Sequence, residues 1–281
     1  MSVFGRIVCG VDGSEAGFEA LRQAKRLLAP EGRLVALTVS DLSVAAQAGW
    51  SMESIVAELR HEAAATKAEA ERELGELADA EARVVDGSPA RTLLAHAREE
   101  QAALVAVGSH GQSRAAGIIL GGVAATLLHE APSAVLLARA PVDSDLFPYS
   151  IVAGVDGSPE SLAAAAAAEQ LAVRFGASLR LVAATGGKPV DVDGLVHLRR
   201  REPALAGTRR AAPRRAMVRV PALEWSREPP VDALLAASAH ADLLVIGSRG
   251  LHGLAALGSV SERVAHRARC SVLVVRAGAG D

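Results

Sequence analysis

The chain has 281 residues, long enough for two domains of average size, each with a core of its own. Half of the residues are apolar but only seven are aromatic, so Ala, Val and Leu must fill the interior, which suits parallel strands covered by helices better than a β-sandwich. A formal net charge of −2 and a pI near 6.5 provide no overall positive field, which argues against nucleic acid and anionic membranes as partners.

The opening MSVFGRIVCGVDGSE lacks the basic, long apolar and small-residue pattern of a secretory signal, and no apolar run approaches the ~20 residues of a membrane span. Cys9 and Cys270 form no CxxC or Cys/His cluster, so neither a disulfide framework nor zinc ligation is implied and a reducing cytoplasm is the expected compartment. The first apolar run, residues 7–11, reads as a strand and leads into Asp12-Gly13-Ser14, where Ser14 is suited to capping a helix over 14–29. Further strands are expected at 34–39, 82–85, 104–107 and 134–138, with helical segments at 52–79, 89–100 and 122–130 between them. Alternating β and α units of this size give a parallel sheet with right-handed crossovers, whose ligands sit beyond the carboxyl ends of the strands. Two stretches fall there: Asp12-Gly13-Ser14, and GSHGQSRAAGIILGG from Gly108 to Gly122.

After residue 138 the run ARAPVDSDLFPYS carries two prolines and no regular periodicity, which puts a domain boundary near Asp145, with domains at 1–145 and 146–281. The second half of the chain repeats the first. RIVCGVDGSE returns as SIVAGVDGSPE, AALVAVGSHG returns as ADLLVIGSRG, and the glycine loop returns as GSRGLHGLAALGS. Asp12 falls against Asp156, Gly108 against Gly247 and Gly121 against Gly258, so the offset drops from 144 to 139 to 137. The second copy is therefore about five residues shorter in its middle and two shorter inside the loop. Ser158-Pro159 fits a helix start with proline at the first position, and the alanines at 163–168 fit its interior. Each copy ends in a short apolar strand, 134–138 and 271–275, which would expose a hydrophobic edge unless the two pair as a pseudo-dimer; the same logic admits a homodimer of chains.

In copy one the loop runs Gly108, two residues, Gly111, nine residues, Gly121, after a buried strand and before a helix. Glycines permit close backbone approach, and the amides at a helix start attract anions, so a phosphate chain is the expected guest. A carboxylate at a strand end beside an adenosine can accept hydrogen bonds from a ribose hydroxyl or a purine amino group. The runs VGSHGQSRAAGIILGGVAATLLHEAPSAVLLAR and VIGSRGLHGLAALGSVSERVAHRARCSVLVVR, each with GVDGS upstream, resemble the universal stress protein family. Together they look like a tandem member covering nearly the whole chain. The resemblance implies an α/β fold of two Rossmann-like domains (adenine nucleotide alpha hydrolase-like), each with a five-stranded parallel sheet flanked by helices and paired through their last strands. In one branch of the family it implies ATP, with or without Mg²⁺, bound by a Gly-x2-Gly-x9-Gly-Ser/Thr loop, and a role in the stress response as a nucleotide-dependent sensor or regulator.

Carried over by that resemblance, Asp12 and Val39 meet adenosine, Val107 and Gly108 line the base and ribose, and Gly111, Gly121, Gly122 and Val123 face the phosphates. In copy two the matching residues are Asp156, Ile246, Gly247, Gly250, Gly258, Ser259, Val260 and Ser261. Copy one has Gly122 where the family has Ser or Thr, and copy two keeps Ser259 but has only seven residues between Gly250 and Gly258. These departures favour copy one as the binding copy, since a lost donor costs less than a lost reach of up to ~7 Å.

The segment at 199–215 holds seven arginines with a single acid, but without interleaved aromatics it reads as a solvated insertion where copy one has its acidic helix. His110, His240, His252 and His266 have no metal-ligand spacing, so no metal site is expected. There is no GxxxxGK[ST] and no GxSxG, hence no evident base or nucleophile and no catalytic residue. Two alternatives stand beside nucleotide binding: a nucleotide-independent dimeric scaffold for a protein partner, and a weak ATPase.

Overall fold

In chain order the elements are β1 (Phe4–Gly10), α1 (Glu15–Leu27), β2 (Leu28–Ser40), α2 (Met52–Leu74), β3 (Ala80–Asp86), α3 (Pro89–Glu99), β4 (Leu104–Gly108), α4 (Gly122–Glu130) and β5 (Ala134–Ala138). The second half continues with β6 (Ser150–Val155), α5 (Pro159–Phe175), β7 (Ser178–Ala184), β8 (Ala222–Ser226), α6 (Pro230–Ala237), β9 (Leu243–Gly247), α7 (Ser259–Arg267) and β10 (Ser271–Val275). The computed structural model of the chain describes residues 4–41, 52–111, 120–139, 146–184, 222–249 and 257–276. The arginine-rich segment 199–215 and Gly250 lie outside the described residues.

The two largest boundary differences from the sequence reading each have a local reason. The first helix stops at Leu27; Leu28 already has extended backbone and pairs with Phe4 of β1, and Pro30 pushes Ala29 before it out of the helical region. β2 therefore runs without a loop from Leu28, six residues earlier than the apolar run suggests. The long acidic helix ends at Leu74 because Gly75 takes a left-handed φ of 60°, a conformation that closes a helix rather than extends it.

Each half builds a five-stranded parallel sheet, but the two sheets are one: the strand order is β3-β2-β1-β4-β5-β10-β9-β6-β7-β8. The expected pairing of the terminal strands is the joint. β5 and β10 run antiparallel, with Val272 opposite Leu137, Leu273 opposite Leu136 and Val274 opposite Val135. Alternation along these strands feeds two cores. Ala134, Leu136, Ala138 and Leu273 face α1, α2 and α5, while Val135, Leu137, Val272 and Val274 face α3, α4, α6 and α7. Both cores cross the joint, and each fully buried Leu or Val there contributes roughly 1.5–3 kcal/mol. Because every strand of a half runs the same way and the joint is antiparallel, the carboxyl ends of the two half-sheets point to opposite edges of the molecule.

An arginine follows each terminal strand and reaches across the joint. Arg139 donates from Nη2 to the Ala265 carbonyl at 2.6 Å and from Nη1 to the Cys270 carbonyl at 3.2 Å, while Arg276 donates from Nη2 to the Leu128 carbonyl at 2.6 Å. Ala265 and Leu128 stand at matching positions two residues before the ends of α7 and α4, so the contact is reciprocal, as a pseudo-twofold interface requires. A cation at a helix C-terminus also complements the macrodipole. Arg139 is buried; desolvation pulls its pKa down to about 10, which leaves it charged at neutral pH. Its backbone amide donates to Ser271 Oγ at 2.9 Å and its carbonyl accepts from Gln23 Nε2 at 2.8 Å, tying α1 to the joint. No helix among the described residues is long and apolar enough to cross a membrane.

Candidate functional site

Strand order reverses between β1 and β4 in the first module and between β6 and β9 in the second, and at such a reversal the connections diverge and leave a crevice beyond the strand ends. In module one, β1 delivers Asp12 to that crevice. Asp12 Oδ1 accepts from the Ser14 amide at 3.1 Å and from Ser14 Oγ at 2.5 Å, and Ser14 Oγ accepts from the Gly17 amide at 3.1 Å. Ser14 is thus the N-cap of α1, as its residue type predicts, and the capping contact fixes the aspartate.

The glycine loop leaves β4 on the other side. A side chain on Gly108 would place its Cβ 2.8 Å from the Ala16 carbonyl oxygen, and one on Gly111 would place it 2.5 Å from Asp12 Oδ2. Glycine at 111 therefore lets the loop lie directly against the carboxylate, so that the two sequence-predicted features meet in space. The loop's far end returns beside its start: the Gly121 amide donates to the Ser109 carbonyl at 2.9 Å, and a Cβ on Gly121 would lie 3.7 Å from the Gly111 nitrogen. Residues 112–119 lie outside the described residues. α4 begins at Gly122, and Gly121 at its N-cap offers no side chain to the amides of Gly122, Val123 and Ala124, which have no carbonyl partner within the helix. A Cβ built on Gly122 meets nothing within 4 Å among the described residues. Val107 is buried and Val39 half-buried, and both belong to the core face that carries α3 and α4.

Module two repeats the frame. Asp156 Oδ1 accepts from the Ser158 amide at 3.0 Å and from Ser158 Oγ at 2.6 Å; Ser158 caps α5 through the Ser161 amide, and the Gly258 amide donates to the Ser248 carbonyl at 2.7 Å. Ile246 is buried at the end of β9, and a Cβ on Gly247 would press within 2.7 Å of the Glu160 carbonyl carbon. Three features set it apart. Ser261 Oγ donates to the Gly247 carbonyl at 2.7 Å, while Ser259 is exposed at the first position of α7 and Val260 is half-buried. The Arg249 Nη2 atom pairs with Glu160 Oε1 at 2.8 Å, and Ser158 Oγ donates to the Arg249 carbonyl at 3.4 Å. Module one has Ala16 and His110 at the equivalent positions, and His110 Nδ1 lies 3.0 Å from Ser109 Oγ.

Sequence reasoning passed over Ser109 and Ser248, whose carbonyls pin the loop ends, and Glu160 with Arg249. The serines had a visible signal, since each follows the strand-end glycine in both copies; the ion pair joins residues far apart in sequence that differ between copies, so nothing pointed to it. Chemically the crevice offers backbone donors for an anion and a carboxylate acceptor beside them. Among the described residues no group of three or more His, Cys, Asp or Glu side chains is placed to hold a metal ion.

Two α/β modules joined edge to edge, each with a strand-end aspartate facing a glycine loop that opens a helix, define a tandem protein of the adenine nucleotide alpha hydrolase-like class. Comparison with protein families is more specific. The universal stress protein family model matches residues 4–139 and again residues 149–276, and the chain belongs to that family. It is 33% identical over 205 residues to the Mycobacterium tuberculosis universal stress protein Rv2005c, covering 69% of this chain and 68% of the relative. It is also 34% identical over 194 residues to Rv2623 of the same organism, covering 63% and 62% of the two chains. Among solved structures, a universal stress protein from Archaeoglobus fulgidus superposes with a TM-score of 0.72 over 97% of this chain and 96% of its own, at 20% identity, a likeness of fold.

Proposed function

We propose that this universal stress protein binds ATP in the crevice of module one and serves in the cytoplasm as a nucleotide-dependent sensor or regulator in the stress response. The observation that carries the reading is the contact of Gly111 with Asp12: a loop able to follow a phosphate chain touches a carboxylate able to take a ribose or purine hydrogen bond, with the start of α4 behind both. Any side chain at 111 would fill that junction. Asp12 and Val39 would meet the adenosine, Val107 and Gly108 its base and ribose, and Gly111, Gly121, Gly122 and Val123 the phosphates. Mg²⁺, when bound with the nucleotide, would neutralise part of the phosphate charge.

The test is calorimetric titration of ATP into the wild type, Gly111→Val and Gly250→Val, each checked for folding by circular dichroism. We expect one site per chain, loss of most binding in Gly111→Val and little change in Gly250→Val. The reverse pattern would move the site to module two. Mass spectrometry of gently purified, then denatured protein should also release adenine nucleotide; neither nucleotide nor an ATP-induced melting shift at millimolar ATP would favour the scaffold instead.

A further inference from the structure

We propose that the Glu160–Arg249 ion pair is a charge latch that keeps the crevice of module two closed to polyphosphate, an inference that rests on the nucleotide reading of the cradles. The pair spans the switch point itself. Glu160 comes from the first turn of α5, just after β6, and Arg249 from the second position after β9, immediately before Gly250. Its carboxylate end is sunk, with the Glu160 side chain 12% exposed against 42% for Arg249. The frame around it is tight: the backbone of Glu160 abuts Gly247, and Ser158 holds the Arg249 carbonyl.

For the positive end of α5 and for the guanidinium, the Glu160 carboxylate already plays the part of an anion. A triphosphate entering this crevice would meet that fixed negative charge. To recruit Arg249 it would have to leave a nearly buried carboxylate without its cation, which is strongly unfavourable. Module one lacks the pair at these positions, because Ala16 stands where Glu160 does and His110 where Arg249 does. The latch thus gives the modules different occupancy while leaving their frames alike.

The experiment titrates ATP with Mg²⁺ by calorimetry into the wild type, Gly111→Val, Gly111→Val/Glu160→Ala, and Ala16→Glu/His110→Arg. With module one silenced, Glu160→Ala should restore binding at least tenfold tighter than Gly111→Val alone, and installing the pair in module one should weaken wild-type binding at least tenfold. Glu160→Gln replaces Glu160→Ala if circular dichroism shows the latter unfolded. A folded Gly111→Val/Glu160→Ala protein that binds no better than its parent would overturn the latch and leave the seven-residue loop as the cause; so would undiminished binding by folded Ala16→Glu/His110→Arg. A wild type that binds no ATP would instead remove the reading of module one, and a gain on Glu160→Ala would still support the latch.

Discussion

Replacing Arg139 by methionine keeps an unbranched apolar stem of similar reach but withdraws the guanidinium from the Ala265 and Cys270 carbonyls. Each hydrogen bond to a charged donor contributes roughly 1.5–3 kcal/mol, and each buried carbonyl left without a donor costs roughly 1–3 kcal/mol. Against this stands the relief of desolvation, which is what lowers the arginine's pKa. The balance is a loss of about 2–4 kcal/mol, or roughly 3–7 °C in melting temperature for a chain of this size. Arg276→Met is the internal comparison: Arg276 is half-buried and donates to the Leu128 carbonyl across the joint, so a smaller loss of about 1–2 kcal/mol is expected. Far-UV circular dichroism melts of the three proteins at one concentration read both effects. An Arg139→Met protein melting within about 1 °C of wild type, or one less affected than Arg276→Met, would refute the assignment of the joint's stability to this buried contact.

Gly122→Ser should strengthen ATP binding by about tenfold or more in calorimetry, because the added Cβ meets nothing within 4 Å among the described residues and a hydroxyl donor to a charged oxygen is worth roughly 1.5–3 kcal/mol; unchanged affinity would mean that position 122 does not face the phosphates. Both cysteines are buried and burial raises both thiols, Cys270 to about 11 and Cys9 further still, with Asp12 adding to the latter. Iodoacetamide at pH 8 should therefore label neither in the native protein and both in urea, as read by intact-mass spectrometry, and native labelling of either would contradict the packing of β1 or of the joint.

The strands of the first module were legible because each contains a short run rich in Val, Leu, Ile and Ala, a pattern that local chemistry alone imposes. The residues Asp12, Gly108, Gly111 and Gly121 were legible as a set because the chain writes them twice. Their convergence was not, since it depends on β1 and β4 being neighbours, a fact of topology rather than of spacing. The starting point of β2 escaped because Leu28 to Gly32 has no apolar run, and its extended backbone is fixed by Pro30 and by pairing with Phe4. Arg139 and Arg276 escaped for a different reason. A terminal arginine after an apolar strand reads as solvated, and only the partner module's helix end reveals what it is for.

The antiparallel joint between β5 and β10 has a consequence for how the two halves can differ. In a homodimer built on the same joint, one substitution would appear on both sides of the dyad, so a defect in one crevice would be a defect in both. Here the partner is covalently attached and separately written. Alanine can stand at 16 while glutamate stands at 160, and glycine at 122 while serine stands at 259, with the shared joint unaltered. The tandem chain keeps the architecture of a symmetric pair and is released from its obligation to be symmetric.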